Sequence, residues 1–123
     1  MADGLSTTVA NAALNNIVGT NAAYVQLHTG APGSAGTSNV SSVTTRVAVS
    51  WNSASGGSVS ASTQPAWTSW AGTNGETDTD ISFWSASSSG TFGLSMQLNA
   101  SVTMDTGDSL TLTSISITIP TAS

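Results

Sequence analysis

The sequence predicts a mainly β protein, an antiparallel β-sandwich of jelly-roll-like type with one α-helix at its N-terminal end. Three observations lead to this prediction. Apolar and polar residues alternate in short segments that recur roughly every ten residues, a spacing typical of sandwiches. Turns rich in glycine, serine and asparagine separate the segments. Only residues 4–18 carry the apolar spacing of a helix.

The predicted helix covers residues 4–18. Asp3 or Ser6 is suited to cap its start, and Gly19 is suited to end it. A helix of this length is not stable alone, so we expect its apolar stripe to be buried, either on the sheet or against other copies of the chain. Leu5 and Val9 are therefore candidate interface residues. Within this stripe Leu5, Val9, Ala13 and Ile17 recur every four positions, with Ala10, Leu14 and Val18 beside them.

The chain divides into a helical part, residues 1–20, and a β-sandwich domain, residues 21–123. Alternating apolar residues predict strands over 23–28, 43–51, 58–63, 66–70, 81–86, 92–104 and 110–119. We expect long polar loops at 29–39 and 71–80, and tight turns at 56–57, 87–90 and 105–108.

The last predicted strand changes the face on which its apolar residues lie. Leu110 and Leu112 occupy even positions, whereas Ile115, Ile117 and Ile119 occupy odd ones. A strand cannot exchange its faces without an interruption, so we predict a bulge or bend near residues 113–114.

Length and charge limit what the chain can do. Its 123 residues fit one domain, and six acids against one arginine give a net charge of −5. Nucleic-acid binding needs a basic face and a polybasic membrane anchor needs lysines, so we expect neither nucleic acid nor membrane as a partner. No apolar run approaches the roughly 20 residues of a membrane span, and the N-terminal residues do not resemble a signal peptide.

Chemistry is equally restricted. The chain has no cysteine and a single histidine, which excludes thiol catalysis, disulfides and multi-histidine metal sites. No Gly-x-Ser-x-Gly elbow is present, and only coincidence would pair two acids as a glycosidase requires. We therefore expect no enzyme activity and no cofactor.

Several ordered motifs resemble those of a known family: LHTGAPGSAGTSNV (27–40), TRVAVSW (45–51), ISFWSASSSGTFG (81–93) and GDSL (107–110). The family comprises small virion structural proteins of tailed actinobacteriophages, described as minor tail, tail-fibre or capsid decoration-like proteins, with an LHTGxPGxxGTxN motif. The resemblance covers roughly residues 2–112. It implies a non-enzymatic role on the particle surface, protein made in the host cytoplasm, and other virion proteins as partners. Analogy with phage fibres implies self-association as a trimer.

Charged residues suggest one structural ion pair. Arg46 is the only strong cation in the sequence, and we predict that it pairs with Asp78 or Asp80. Glu76, Asp78 and Asp80 alternate along the chain, so their carboxylates would share one side of an extended segment and could hold Ca²⁺. A solvated polar loop is the simpler interpretation, and we adopt it.

The remaining candidates are aromatic. We expect the ring of His28 to bond to the backbone of the 29–39 loop and to pin it. Trp51 is expected in the core. Of Trp67, Trp70 and Trp84, at least one is expected to be accessible, either as an anchor in a protein interface or as a platform for sugar rings. The alternative function is therefore a carbohydrate-binding module that recognises a host cell-wall glycan.

Overall fold

The computed structural model describes residues 3–122. Helix α1 is followed by eight strands, and all pairings between these strands are antiparallel. The predicted class, mainly β with one N-terminal helix, is therefore confirmed. The elements are α1 (Thr7–Asn21), β1 (Tyr24–His28), β2 (Val47–Ala48), β3 (Ser58–Ser60), β4 (Ala66–Trp67), β5 (Glu76–Trp84), β6 (Phe92–Met104), β7 (Leu110–Thr111) and β8 (Ser116–Thr118).

Three sheets make up the β part. The main sheet has four strands in the order β2-β1-β5-β6, and two small sheets pair β3 with β8 and β4 with β7. In the main sheet Leu27 faces Ile81, and Val25 faces Phe83. Strand β6 ends the order, so within residues 3–122 its outer edge has no neighbouring strand.

One hydrophobic cluster joins the helix, the main sheet and both small sheets, which gives the sandwich-like arrangement. Its members come from α1, from strands β1 and β3 to β7, and from the loops between them. They are largely removed from solvent, and burial of apolar surface is the main favourable term in folding. They include Leu14, Val18, Val25, Leu27, Val59, Trp67, Phe83 and Leu110.

Helix α1 begins later and ends later than predicted. Ser6 caps it, with its Oγ accepting a hydrogen bond from the Val9 amide at 3.2 Å. The helix continues through Gly19 to Asn21, because an internal glycine costs only about 1 kcal/mol and tertiary contacts outweigh it. At that end the Asn21 carbonyl packs against Gly93, where a Cβ atom would collide with it.

Only one side of the predicted apolar stripe of α1 is buried. Leu5 and Val9 are 42% and 52% exposed, whereas Leu14 and its neighbours on the same face are buried. Two asparagine side chains account for this orientation. Asn11 Oδ1 accepts from the Gly57 amide and Asn15 Oδ1 from the Ala54 amide, both at 2.9 Å. The buried residues of α1 are Ala10, Leu14 and Val18.

The predicted change of face near residues 113–114 is confirmed. Strand β7 ends at Thr111 and β8 begins at Ser116, and the two strands pair in different small sheets. Leu110 lies buried before the interruption, and Ile115 lies buried after it.

Two other segments differ from the prediction. The strand expected over 43–51 shortens to β2, which pairs with Tyr24 and Val25 only. The polar loop expected over 71–80 is strand from Glu76 onward, since this segment pairs with the end of β6. No helix within residues 3–122 has the length and apolarity to cross a membrane.

The two ends of the described chain lie side by side. Leu5 forms a parallel bridge with Thr121. The Leu5 amide donates to the Pro120 carbonyl at 3.2 Å, and the Ala122 amide donates to the Leu5 carbonyl at 2.8 Å. These bonds anchor the segment before α1 to the segment after β8.

Candidate functional site

His28, the last residue of β1, lies fully buried in a chain of hydrogen bonds. Its Nδ1 donates to the Ser38 carbonyl at 2.8 Å, and its Nε2 accepts from Ser82 Oγ at 2.7 Å. Ser82 Oγ in turn accepts from Trp84 Nε1 at 2.7 Å. Because a carbonyl only accepts, the Ser38 carbonyl assigns the proton of the neutral ring to Nδ1. Burial lowers the pKa of His28, although Ser38 and the negative charge of Asp80 act in the opposite direction.

The contact predicted between His28 and the 29–39 loop is therefore present. The loop also closes on itself, since the Ser38 amide donates to the Pro32 carbonyl at 2.9 Å. Asn39, with a φ of 52°, donates its side-chain amide to the Ala31 carbonyl at 3.0 Å. How much His28 contributes to the stability of the loop stays a prediction.

Arg46 bonds to backbone carbonyls and an aromatic ring. Its Nη1 donates to the carbonyls of Ala86 and Ser89 at 2.9 and 2.7 Å, and its Nε donates to Gln26 Oε1 at 3.1 Å. The guanidinium carbon lies 3.9 Å from the centroid of the Trp84 ring, a cation–π geometry. Arg46 thus holds the turn after β5 against the main sheet.

This geometry corrects the predicted ion pair of Arg46 with Asp78 or Asp80. Strand β5 runs from Glu76 to Trp84, and Asp78 lies near the opposite end from Trp84, about 20 Å away along the strand. Asp80 accepts instead from Thr79 Oγ1 at 2.6 Å. The guanidinium donates its hydrogen bonds to neutral oxygen atoms, which cannot be identified by counting the charged residues of the sequence.

The acidic residues at the start of β5 have separate environments. Glu76 Oε2 accepts from Ser41 Oγ at 2.6 Å, and Glu76 Oε1 accepts from the Ser42 amide at 3.0 Å. Asp78 is fully buried, and neither of its carboxyl oxygens has a hydrogen-bond donor within residues 3–122. Across the same residues, no three His, Cys, Asp or Glu side chains are grouped to hold a metal ion.

The prediction that at least one of these three tryptophans is accessible is not met, because all three are buried. Trp67, Trp70 and Trp84 are 4%, 2% and 7% exposed. Their indole N–H groups bond inward, that of Trp67 to the Thr45 carbonyl at 2.9 Å and that of Trp70 to the Thr73 carbonyl at 3.2 Å. A buried indole usually finds such a partner, so these rings are core residues and present no face to a ligand.

Trp51, predicted to be core, is half-buried and packs against the core. Its ring centroid lies 5.7 Å from that of Phe83, with the planes tilted by 52°. Its Nε1 donates to the Ala22 carbonyl at 2.7 Å, which fixes the end of α1 against the strand segment near residue 51.

An open groove of about 340 Å³ lies between β6 and the chain after β7. The described residues that line it include no charged side chain. Its apolar lining includes Ile81, Met96, Leu98, Val102, Leu112 and Ile115. The sequence analysis did not predict this groove. The interruption near residues 113–114 forms one of its walls, and this was the feature of the sequence that could have indicated it.

The edge strand beside the groove is long and uncharged. Strand β6 has 13 residues and contains neither a charged residue nor proline, two common devices that protect exposed sheet edges. Its pairing with β5 shifts at two places, and at the larger shift residues 98–101 oppose Thr79 alone. This bulge bends β6 where it borders the groove.

Comparison with known proteins identifies a phage fibre family. No curated protein matches the sequence. A family model described as Podophage GP4 fiber I protein gp80 matches residues 1–120 of the 123-residue chain. The match supports the predicted phage virion role at the level of a fibre protein, without the restriction to actinobacteriophages. The chain belongs to the Podophage GP4 fiber I protein gp80 family, and it is a phage fibre protein of the virion.

Proposed function

We propose that the chain is a non-enzymatic structural subunit of a phage tail fibre, exposed on the particle, that associates with further copies of itself and with other virion proteins. Membership of a fibre family supports the tail over a capsid decoration role. The observation that carries the self-association is the uncharged groove beside the edge of β6.

Charge favours this surface as the contact between copies. The chain has a net charge of −5, so two copies repel each other wherever their acidic residues approach. Strand β6 and residues 109–122 contain no charged residue, which allows like-charged copies to meet there without that cost. The unpaired backbone of an edge strand can add a strand from a partner, and the groove offers apolar area next to it.

Leu5 and Val9 offer a second exposed apolar surface near the paired chain ends. We assign this surface to contacts with other virion proteins. A trimer is the proposed symmetry, by analogy with phage fibres.

Ser114→Lys tests the groove. Ser114 is exposed and lines the groove, so a lysine there places a charge in the proposed contact. Ser34→Lys, in the exposed part of the 29–39 loop, makes the same chemical change elsewhere. Sedimentation velocity at micromolar concentration should show an oligomer for the native chain and Ser34→Lys, and mainly monomer for Ser114→Lys. A monomeric native chain, or equal behaviour of the two variants, contradicts the proposed self-association.

The alternative of a carbohydrate-binding module finds no support in the tryptophans. Trp67, Trp70 and Trp84 are buried, so none of them presents a ring face on which a pyranose could stack.

A further inference from the structure

Asp78 is a buried carboxyl group for which the fold provides no donor. Its side chain is 0% exposed, and neither oxygen accepts a hydrogen bond from any group within residues 3–122. A carboxylate removed from water without hydrogen bonds or a cation is strongly disfavoured, so the group keeps a proton instead. In agreement, burial and the neighbouring Glu76 raise the pKa of Asp78 to about 7.

Glu76 is in the opposite situation. It lies two residues before Asp78 on β5, and side chains two apart on a strand project to the same side. Burial acts to raise the pKa of Glu76, but the hydrogen bonds from Ser41 and Ser42 outweigh it and lower that pKa. Two adjacent carboxyl groups whose environments drive their pKa values apart divide the roles of acid and base between them.

We propose that Glu76 and Asp78 share one proton, as a carboxylic acid–carboxylate pair that latches residues 41–43 to the start of β5. Protonated Asp78 donates its O–H to the ionised carboxylate of Glu76. The Glu76 carboxylate at the same time accepts from Ser41 and Ser42, so protonated Asp78 is the third residue that donates to it. Loss of this proton leaves two like charges side by side, one of them fully buried, and weakens the latch.

The surroundings favour a proton over a metal ion. Ca²⁺ takes six to eight oxygen ligands, and no cluster of three acidic or histidine side chains exists within residues 3–122. Asp78 and Glu76 face Val102 and Met104 of β6, neither of which can carry charge. The segment 41–43 contributes only serine and valine side chains.

The other charged groups in this region are few. His28 and Asp80 face each other on β1 and β5, next to the pair. Asp105 and Asp108 lie in the exposed turn after β6, where Asp108 Oδ2 accepts from the Asp105 amide at 2.9 Å. Arg46 is engaged at the Trp84 end of β5. Ionised Asp78 therefore meets no compensating cation among these groups.

The latch extends from residues 41–43 to the loop before β5. Ser41 Oγ accepts from the Val43 amide at 3.1 Å, and Ser42 Oγ accepts from the Thr73 amide at 2.8 Å. We therefore expect ionisation of Asp78 to loosen both segments together.

Carboxyl ¹³C NMR of the native chain tests the shared proton directly. The Asp78 Cγ resonance should titrate near neutral pH. In Glu76→Gln its midpoint should fall by about one pH unit, because the like charge is removed and the new amide can donate to the Asp78 carboxylate. A native midpoint near the ordinary value of about 4 overturns the proposal, as does an unchanged midpoint in Glu76→Gln.

Thermal unfolding of Asp78→Asn gives a second, independent readout. The folded state binds the Asp78 proton more tightly than the unfolded state, so this group makes stability fall as pH rises from about 4 to about 7. Asp78→Asn should remove that fall, because an amide remains an uncharged donor at every pH. Asp105→Asn, the same change at an exposed acid, should keep the native pH dependence. If Asp78→Asn retains the native dependence, the proposal is wrong. If that variant does not fold, the NMR midpoint of the native chain decides.

Discussion

Individual polar side chains hold the loops of this protein in place. His28 bonds to the 29–39 loop, Arg46 to the turn after β5, and Glu76 to residues 41–43, in each case through at least one backbone group. The chain has few charges, so most of these contacts join a charged or aromatic group to a neutral partner. Such partners leave buried polar groups satisfied without the cost of burying an ion pair.

Replacement of Arg46 should show how much geometry matters at this position. Arg46→Ala removes the hydrogen bonds to Gln26, Ala86 and Ser89 together with the contact to Trp84, and we expect a loss of about 1–3 kcal/mol in unfolding free energy. Arg46→Lys should recover little of it, because an ammonium group lacks the planar fork of donors. Urea unfolding measures both variants. Full recovery by lysine would show that charge alone suffices.

The His28 ring should make the protein sensitive to acid. Its pKa is lowered in the folded state, so the unfolded state binds more protons as pH falls below about 6.5, and stability falls with it. Asp78 acts in the opposite direction, which masks this effect in the native chain. In Asp78→Asn the unfolding free energy should therefore be lower at pH of about 5 than at about 7. Equal values at the two pH settings would show that His28 does not control acid stability.

At the scale of the elements, α1 is oriented by specific contacts as much as by its apolar residues. Leu14 is fully buried, whereas Val9 lies on the exposed side of the same helix. Asn11 and Asn15 connect the helix to the segment that precedes β3. The orientation therefore depends on two amide side chains that bond to the backbone of residues 54 and 57.

Two alanine substitutions distinguish the faces of α1. Leu14→Ala should cost about 2–5 kcal/mol, because it leaves a cavity in the core. Val9→Ala should change stability by less than about 0.5 kcal/mol in the monomer, as is usual for an exposed position. Denaturant unfolding of both variants gives the comparison. Similar losses for the two would place Val9 in a buried contact.

The sequence predicts some elements better than others for physical reasons. Alternation is a property of one strand, so β6 and the interruption near residues 113–114 are visible in it. The start of β5 is not visible in the sequence, because its acidic residues are typical of a loop. Only the pairing with β6 shows that this segment is a strand. The rotation of α1 and the partners of Arg46 depend on amide and carbonyl groups that are distant in sequence. The pinning contact of His28 was foreseeable because its loop follows directly.

At the scale of the whole molecule, charge and shape are distributed unevenly. The acids lie in residues 3, 76–80 and 105–108, whereas β6 and the chain after residue 108 are neutral. The sandwich is open on this neutral side, where the groove separates β6 from the chain after β7. The same side therefore combines unpaired backbone, apolar area and absence of charge.

Salt should strengthen association between copies. Added ions screen the repulsion between two chains of net charge −5, whereas contacts through a neutral surface are little affected. Sedimentation equilibrium should give a lower dissociation constant at about 0.5 M salt than at about 0.05 M. A higher dissociation constant in salt would indicate contacts held by ionic attraction.

The bridge between Leu5 and Thr121 has a consequence for the order of the chain. A short glycine linker can join the two ends without crossing the fold, because they already lie side by side. New ends can then be opened between Ser34 and Ala35, which are both exposed. We expect such a circular permutant to fold to the same structure, since surface loops tolerate new termini. The fold thus tolerates a different starting point of the polypeptide, and segments fused before residue 3 and after residue 122 would leave the protein next to each other.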